Sequence, residues 1–302
     1  MTTSCARVFL LFCAGGAIVS TFLPKIVVAA QEHIEFPPAS QHGRIKQRIG
    51  LTDVEIEYSR PNKNGRRIFG GLLPYGKVWR TGANASTKIK FTDAIEFGGK
   101  NVPAGEYALY TIPTENKWTI ILSKDTKGWG AYEYKSDSDA LRITVKPETL
   151  AVAVETLTIG FGDLKDNSAT LYLDWDTTRV STLLTTNTVE KLNKQIETAL
   201  KNPESLEPRF YYDAASFYYA HDKDLEQARK WIDLAVAKKP NFYSFFYKKA
   251  QIEAKLGHKT EAVAAAEKSI DLLKAAKVFD EAAIRNSQML IDNLPAQKEM
   301  KK

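Results

Sequence analysis

The stretch SATLYLDWDTTRVSTLLTTNTVEKLNKQIETALKN, residues 168–202, contains the change of pattern that decides the fold. Over residues 169–175 apolar and polar side chains alternate, which is typical of a half-buried antiparallel strand, and residues 180–184 are a further candidate strand. From Thr188 onwards apolar residues recur at helical spacing, and Asn202-Pro203 provides a helix stop. The sequence therefore predicts a β-half that ends near residue 186 and an α-half that follows it.

The β-half extends towards the N-terminus with the same two-residue period. Seven further strands are predicted, at residues 53–58, 87–91, 94–97, 107–112, 118–122, 141–145 and 152–161. Turn-forming residues such as Gly98-Gly99 and Asp166-Asn167 separate them. About nine short strands without an intervening helix predict an antiparallel β-sandwich or jelly-roll-like domain over residues 31–186.

The α-half contains an internal repeat. The segments 209–241 and 243–275 are offset by 34 residues and place equivalent residues in register: Tyr212 with Phe246, Ser216 with Ala250 and Ala228 with Ala262. This period and its small and aromatic positions resemble the tetratricopeptide repeat over residues 208–294, although Lys249 and Glu253 depart from the pattern. The whole chain is thus predicted to be a multi-domain β + α protein whose residues 187–302 form a tetratricopeptide-like helical domain.

Two repeats with flanking helices are few for an independent array. The helices are therefore expected either to pack on the β-domain or to offer a small docking groove for a protein. The resemblance implies that a groove would be lined near Phe210, Asp213, Phe217, Tyr247 and Gln251. The alternative is that these aromatic residues fill contacts between helices.

Residues 1–30 have the pattern of a secretory signal peptide. Arg7 precedes an apolar run over residues 8–23, and Val28-Ala29-Ala30 provides small residues for cleavage after Ala30. The alternative is a membrane anchor, but the run is short for a span and Pro24-Lys25 interrupts it. We expect a periplasmic or secreted protein with no membrane span after cleavage.

The supply of metal-binding and nucleophilic side chains is small. Cys5 and Cys13 both lie in the signal segment, so the mature chain would have no disulfide, thiolate nucleophile, cysteine-bound zinc or iron–sulfur cluster. Four histidines remain: His33, His42, His221 and His258. Neither a histidine metal site nor a catalytic triad is expected, no glycine-rich phosphate loop is present, and no cofactor is predicted.

Positive charge is concentrated in one part of the β-half. The net charge of +6 becomes +4 without Arg7 and Lys25, but residues 44–90 hold eleven basic residues against three acidic ones. A local excess of +8 favours an anionic partner. The alternative is a solvated face, and no nucleic-acid partner is expected.

The loop LLPYGKVWRTGANAST, residues 72–87, lies within this basic stretch and supplies most of the candidate binding residues. These are Arg60, Tyr75, Lys77, Trp79, Arg80, Asn84 and Tyr110. Arginine offers a fork of donors for a carboxylate, phosphate or sulfate, and tryptophan and tyrosine suit a sugar ring or a peptide. Alternatively, the two arginines form internal ion pairs and Trp79 fills a corner of the core.

A glycan-active hydrolase is the rival function, because glycoside cleavage needs only two suitably spaced carboxylates. Glu106, Asp174 and Asp176 are the candidates by strand position. A purely structural envelope component is a third possibility.

Several segments, including VPAGEYALYTIP, TKGWGAYEY and DNSATLYLDWDTTRV, together resemble the secreted bacterial family catalogued as domain of unknown function 2911, over about residues 44–180. The resemblance implies an exported β-rich domain that is often followed by helical repeats, and it implies no activity. We expect a periplasmic or secreted binding or scaffold protein rather than an enzyme. Its partners would be an anionic small molecule, glycan or peptide at the basic rim and a protein at the helices.

Overall fold

The computed structural model of the protein describes residues 36–276 and 280–294, so the predicted signal peptide lies outside the described residues. Within these residues, ten β-strands are followed by six α-helices, which confirms the predicted β + α order. In the same part of the chain, no helix combines the length and the hydropathy needed to cross a bilayer.

The strands are β1 (Gln41–Ile49), β2 (Thr52–Arg60), β3 (Ala83–Phe91), β4 (Ile95–Phe97), β5 (Lys100–Val102), β6 (Gly105–Ile112), β7 (Trp118–Ser123), β8 (Asp139–Val145), β9 (Glu148–Gly162) and β10 (Ser168–Thr186). The helices are α1 (Thr188–Ala199), α2 (Pro208–Ala220), α3 (Leu225–Lys238), α4 (Tyr243–Leu256), α5 (Lys259–Ala275) and α6 (Glu281–Asp292).

The strands form two antiparallel sheets that share one core. The six-stranded sheet has the order β1-β2-β3-β6-β7-β8, and the four-stranded sheet has the order β5-β4-β10-β9. Strand β2 shows how alternation places the core, because Val54 and Ile56 are buried while Asp53 pairs with Lys46 of β1 at 2.9 Å. Apolar side chains from both sheets therefore meet, and charged side chains lie on the opposite face of β1 and β2.

Three details of the strands differ from the sequence prediction. Strands β1 and β5 were not predicted, because the first has a mostly exposed, basic pattern and the second has only three residues. The predicted strands at 169–175 and 180–184 are one continuous strand, β10. In the interval between the two predicted strands, residues 176–179, the structure has instead an irregular pairing with β9, and Asp176 adopts a φ of 54°.

The segment 61–82, between β2 and β3, closes one side of the two sheets. Its start lies along β9, where the N–H of Leu157 donates to Pro61 O at 3.0 Å, and its end pairs Trp79 with Thr111 of β6. Between these points it contributes two rings to the core, where the Phe69 ring lies 4.8 Å from Trp118 and the Trp79 ring lies 5.7 Å from Trp175. The loop of residues 72–87 that the sequence analysis singles out therefore serves in part to cover the core between the two sheets.

The α-helices pack in the order of the chain, with α2 on α3, α4 on α5 and α6 on α5. Ala228 of α3 and Ala262 of α5, which the 34-residue offset aligns, are both fully buried. The identity of these helices as tetratricopeptide repeats stays a prediction, as do the domain boundaries.

Helix α1 is bound to the β-half by polar contacts. Lys191 Nζ lies 2.7 and 2.8 Å from the two carboxylate oxygens of Asp93 and donates to Leu51 O at 3.1 Å. The hydroxyls of Thr186 and Thr188 share a hydrogen bond at 3.0 Å. The first helix thus continues directly from the last strand.

Candidate functional site

The face of the six-stranded sheet that points away from the shared core carries a second buried cluster. Tyr110 of β6 and Ile121 of β7 are cross-strand neighbours and are both buried there. The connection between β7 and β8, residues 124–138, lies over them, and the Tyr134 ring is 5.1 Å from the Tyr110 ring. We call this connection the covering loop and the region beneath it the outer-face site.

Arg80 belongs to the outer-face site. Trp79 and Thr111 exchange backbone hydrogen bonds of 2.8 and 2.9 Å, which places Arg80 level with Tyr110 on the neighbouring strand. Because successive side chains point to opposite faces and Trp79 enters the core, Arg80 lies on the outer face. Its Nε is buried and has no hydrogen-bond acceptor among the described residues. An unpaired buried donor costs about 1–3 kcal/mol, so a ligand that supplied an acceptor would remove this cost.

Tyr110 adds a hydroxyl to the same face of the sheet. Burial raises the pKa of Tyr110, so the hydroxyl keeps its proton and can donate at neutral pH. Gly128 of the covering loop permits its close approach, since a Cβ at that position would lie 3.1 Å from the Tyr110 hydroxyl. Ser86 holds the loop here by donating its hydroxyl to Gly128 O at 3.2 Å.

A three-residue network anchors the other end of the covering loop. The Tyr134 hydroxyl donates to Asp139 at 2.8 Å, and Arg142 Nε donates to the same carboxylate at 2.5 Å. Burial and, after it, the hydrogen bond to Asp139 raise the pKa of Tyr134 to about 12. The hydrogen bond to Asp139 also raises the pKa of Arg142.

Two aromatic rings of the covering loop point to solvent. Trp129 is 65% exposed and Tyr132 is 90% exposed, on either side of Gly130. The backbone of Trp129 bridges to Ala85 of β3, next to Ser86, so the exposed ring belongs to the same region as Arg80. Exposed aromatic rings of this kind are typical of binding surfaces and offer a flat apolar face.

Arg60 and Asn84 lie elsewhere on the sheet. Arg60 Nε donates to Leu157 O at 3.1 Å and its Nη2 donates to Thr158 Oγ1 at 2.8 Å, so the side chain bonds to the edge of β9. Asn84 donates to the Ser59 hydroxyl at 3.2 Å. Among the described residues neither Arg60 nor Arg80 forms an ion pair with a carboxylate.

The other predicted rim residues also separate. Trp79 is only 5% exposed and donates from Nε1 to Gly82 O at 3.0 Å, so it lies in the core. Tyr75 lines a cavity of about 90 Å³ beside Phe69 and Trp118. Lys77 is exposed. Of the seven predicted residues, only Arg80 and Tyr110 lie level on neighbouring strands and on the same face, and the ligand roles of all seven stay predictions.

Each carboxylate considered for glycan hydrolysis has its own cation. Asp174 accepts two hydrogen bonds from Arg179, at 2.7 and 2.6 Å, and Asp176 accepts one from Lys63 at 2.6 Å. Glu106, in the other sheet, lies 3.6 Å from Lys88. These pairings leave the three carboxylates bound to bases rather than to one another. Over residues 36–276 and 280–294, no group of three or more His, Cys, Asp and Glu side chains is placed to hold a metal ion.

The residues predicted to line a helical groove have mixed surroundings. Phe210 and Phe217 are half-buried against the helical core, and Asp213 accepts from Arg209 at 2.8 Å. Tyr247 is half-buried, and the Oε1 of Gln251 is buried without a partner among the described residues. A docking role for this set stays a prediction.

Sequence reasoning missed several members of the outer-face site, namely Ser86, Trp129, Tyr134, Asp139 and Arg142. The signal that could have found them is the run GWGAYEY, residues 128–134, in which three aromatic residues and two glycines stand together in a loop.

Comparison with known proteins bears on the β-half. A family model described as "Protein of unknown function (DUF2911)" matches residues 40–184, which contain strands β1–β9 and β10 as far as Leu184. This match confirms the resemblance seen in the β-half. No curated protein and no solved structure matches the chain.

Proposed function

We propose that this protein, whose residues 40–184 form a domain of the family DUF2911, is an exported binding protein for a carboxylate-bearing sugar. The observation that carries the proposal is the buried Nε of Arg80, which has no acceptor among the described residues and lies level with Tyr110. A guanidinium binds a carboxylate through two parallel hydrogen bonds, which gives both affinity and orientation.

The surroundings of Arg80 favour a sugar acid over a bare anion. The protonated hydroxyl of Tyr110 supplies a neutral donor on the same face of the sheet as Arg80. The exposed ring of Trp129 supplies a flat apolar surface, on which the apolar face of a pyranose ring can stack. A uronic acid residue presents a carboxylate, hydroxyls and an apolar face together, and so matches all three groups.

Export and a scaffold role complete the proposal. The signal-peptide pattern of residues 1–30 supports delivery to the periplasm or the exterior. The six helices after residue 186 supply a second surface through which the bound β-domain would be attached to a protein partner.

Calorimetric titration of the chain from Gln31 to Lys302 tests the ligand. The probes are a galacturonic acid trimer and the matched neutral galactose trimer, which differ in their carboxylates. We expect binding of the acidic trimer, and a loss of affinity of about ten- to a hundredfold in Arg80→Gln, because a charge-assisted hydrogen bond contributes about 1.5–3 kcal/mol.

The matched control is Arg67→Gln, which removes an exposed guanidinium from the same 61–82 segment. Arg67→Gln removes the same single positive charge as Arg80→Gln but lies outside the outer-face site. It should therefore bind the acidic trimer as the wild type does. Equal binding of the two trimers, or equal losses in the two variants, would contradict the proposal.

A further inference from the structure

The four-stranded sheet carries a groove of about 730 Å³ on its outer face. Its floor is a row of three cross-strand neighbours, in which Glu96 of β4 lies between Thr185 of β10 and Asn101 of β5. The residues that alternate with them, such as Ile95 and Leu184, are buried in the shared core, so the row points away from it. The volume is within the range of small-molecule sites.

Four polar side chains of this groove are left without partners, whereas Thr186 and Asn187 in the same lining are hydrogen-bonded. Glu96, Asn101, Thr185 and Asn167, which lines the same groove from the turn before β10, make no side-chain hydrogen bond or ion pair with any described residue. Their carbonyl, carboxylate and hydroxyl oxygens are therefore free to accept hydrogen bonds, and the two amides and the hydroxyl are free to donate them.

The free carboxylate of Glu96 differs from those of Asp53, Glu55 and Asp174, which also lie on the strands. On the six-stranded sheet Glu55 lies 3.4 Å from Arg44, and Asp53 lies 2.9 Å from Lys46. On β10 the carboxylate of Asp174 is bound by Arg179. These side chains are neutralised where they stand, whereas Glu96 presents an unneutralised negative charge to the groove.

We propose that this groove is a second binding site, for an amino sugar oligomer. The ammonium group of the ligand would donate to the carboxylate of Glu96, and its hydroxyls would bond to Asn101, Asn167 and Thr185. No lysine, arginine or histidine is among the residues that line the groove, so nothing there opposes a cationic ligand. The site is separate from the outer-face site and has the opposite charge preference.

The test compares a glucosamine trimer with its fully N-acetylated counterpart by calorimetric titration of the same purified protein. The two probes share a backbone and differ in whether the nitrogen is charged. We expect the amine form to bind more tightly to the wild type. In Glu96→Gln that preference should fall by about tenfold or more, because a charge-assisted hydrogen bond is replaced by a neutral one.

Two further variants sharpen the result. Glu204→Gln removes an exposed carboxylate outside the groove and should leave the preference unchanged, whereas Asn101→Ala should weaken the binding of both trimers. Arg80→Gln should leave both trimers unaffected, which separates this proposal from the outer-face site. Equal binding of the two trimers to the wild type would overturn the proposal, as would an unchanged preference in Glu96→Gln.

Discussion

The guanidinium N–H groups of Arg60, which could bind a carboxylate, instead donate hydrogen bonds to the edge of β9. Its guanidinium bonds to Leu157 O and Thr158 Oγ1, and the Tyr58 hydroxyl accepts from the N–H of Ile159 at 2.9 Å just beyond. These side chains satisfy backbone groups that an edge strand would otherwise expose. Residue type alone does not distinguish this use from anion binding, because both need only an oxygen acceptor within reach.

Replacement of Arg60 tests this structural use. We expect Arg60→Ala to lower the free energy of unfolding by about 1–3 kcal/mol, because Leu157 O and Thr158 Oγ1 would lose their donors in a half-buried setting. Urea denaturation measures the change. Arg67→Ala is the control, since Arg67 is exposed on the segment that follows and should change stability by less than about 0.5 kcal/mol. Equal stabilities of the two variants would show that the edge contacts contribute nothing.

Tyr134 gives a prediction for pH. Its pKa is raised from 10.0 to about 12, first by burial and then by the hydrogen bond to Asp139. A tyrosine that ionises at higher pH in the folded state stabilises that state fully below its unfolded pKa, and the contribution is lost as the pH rises through the folded pKa. The Tm of the wild type should therefore fall more steeply between pH 10 and about 12 than that of Tyr134→Phe.

The control for that titration is Tyr132→Phe. Tyr132 lies in the same covering loop but is 90% exposed, so its removal should leave the slope of Tm against pH as in the wild type. Identical slopes for wild type and Tyr134→Phe would exclude the Tyr134–Asp139 hydrogen bond as a source of stability.

At the scale of elements, the sequence predicts correctly those strands and helices that bury only one face. Strands such as β2 and α-helices such as α3 have one apolar face, so their period reveals them. Strand β1 is missed because the six-stranded sheet ends there and five of its nine residues are exposed, three of them basic. The covering loop is missed as part of a site because its position over Tyr110 depends on a long-range pairing, between Ala85 and Trp129, that no local pattern contains.

The repeat register gives a prediction for the helices. Ala228 of α3 is fully buried, so leucine at that position would overpack the contact and destabilise the protein by about 1–3 kcal/mol. Urea denaturation of Ala228→Leu measures this cost. Ala237→Leu is the matched control, because Ala237 lies on the same helix and is exposed. An Ala228→Leu midpoint equal to that of the control would show that the helices do not meet at this alanine.

At the scale of the whole molecule, the β-half and the helices meet through few but specific contacts. Asp93 makes one of these contacts. Desolvation by burial would raise the pKa of Asp93, yet hydrogen bonds from Lys191, Thr92 and Thr52 hold it below its usual value. Two of those donors belong to the β-half and one belongs to α1. The carboxylate therefore links the two parts, and its contribution is present above its unfolded pKa and is lost in acid as the pH falls through the folded pKa.

At Gly50 the turn between β1 and β2 lies in close contact with the start of α1. A Cβ there would lie 1.8 Å from Thr188 Oγ1 and 2.6 Å from Asp166 O, and the residue has a φ of +57°. Gly65 has a similar φ of +69° and no atom within 4 Å of the same position. An alanine at either glycine would therefore carry the same backbone strain, about 1–2 kcal/mol for a residue in the left-handed region. Only at Gly50 would its methyl group also collide with the start of α1.

Alanine at each glycine therefore isolates the junction. We expect Gly50→Ala to be less stable than Gly65→Ala by about 1–3 kcal/mol, because the extra methyl group must push α1 away from the turn between β1 and β2. Urea denaturation is followed by tryptophan fluorescence, which reports mainly the β-half, and by far-ultraviolet circular dichroism, which reports the helices. The two transitions should coincide in the wild type and in Gly65→Ala, and the helical transition should come first in Gly50→Ala. If Gly50→Ala matched Gly65→Ala by both probes, the helices would not depend on this contact, and the β-half and the helices would have to be held together by other contacts, such as those of Lys191 with Asp93 and Leu51 O, or to unfold independently.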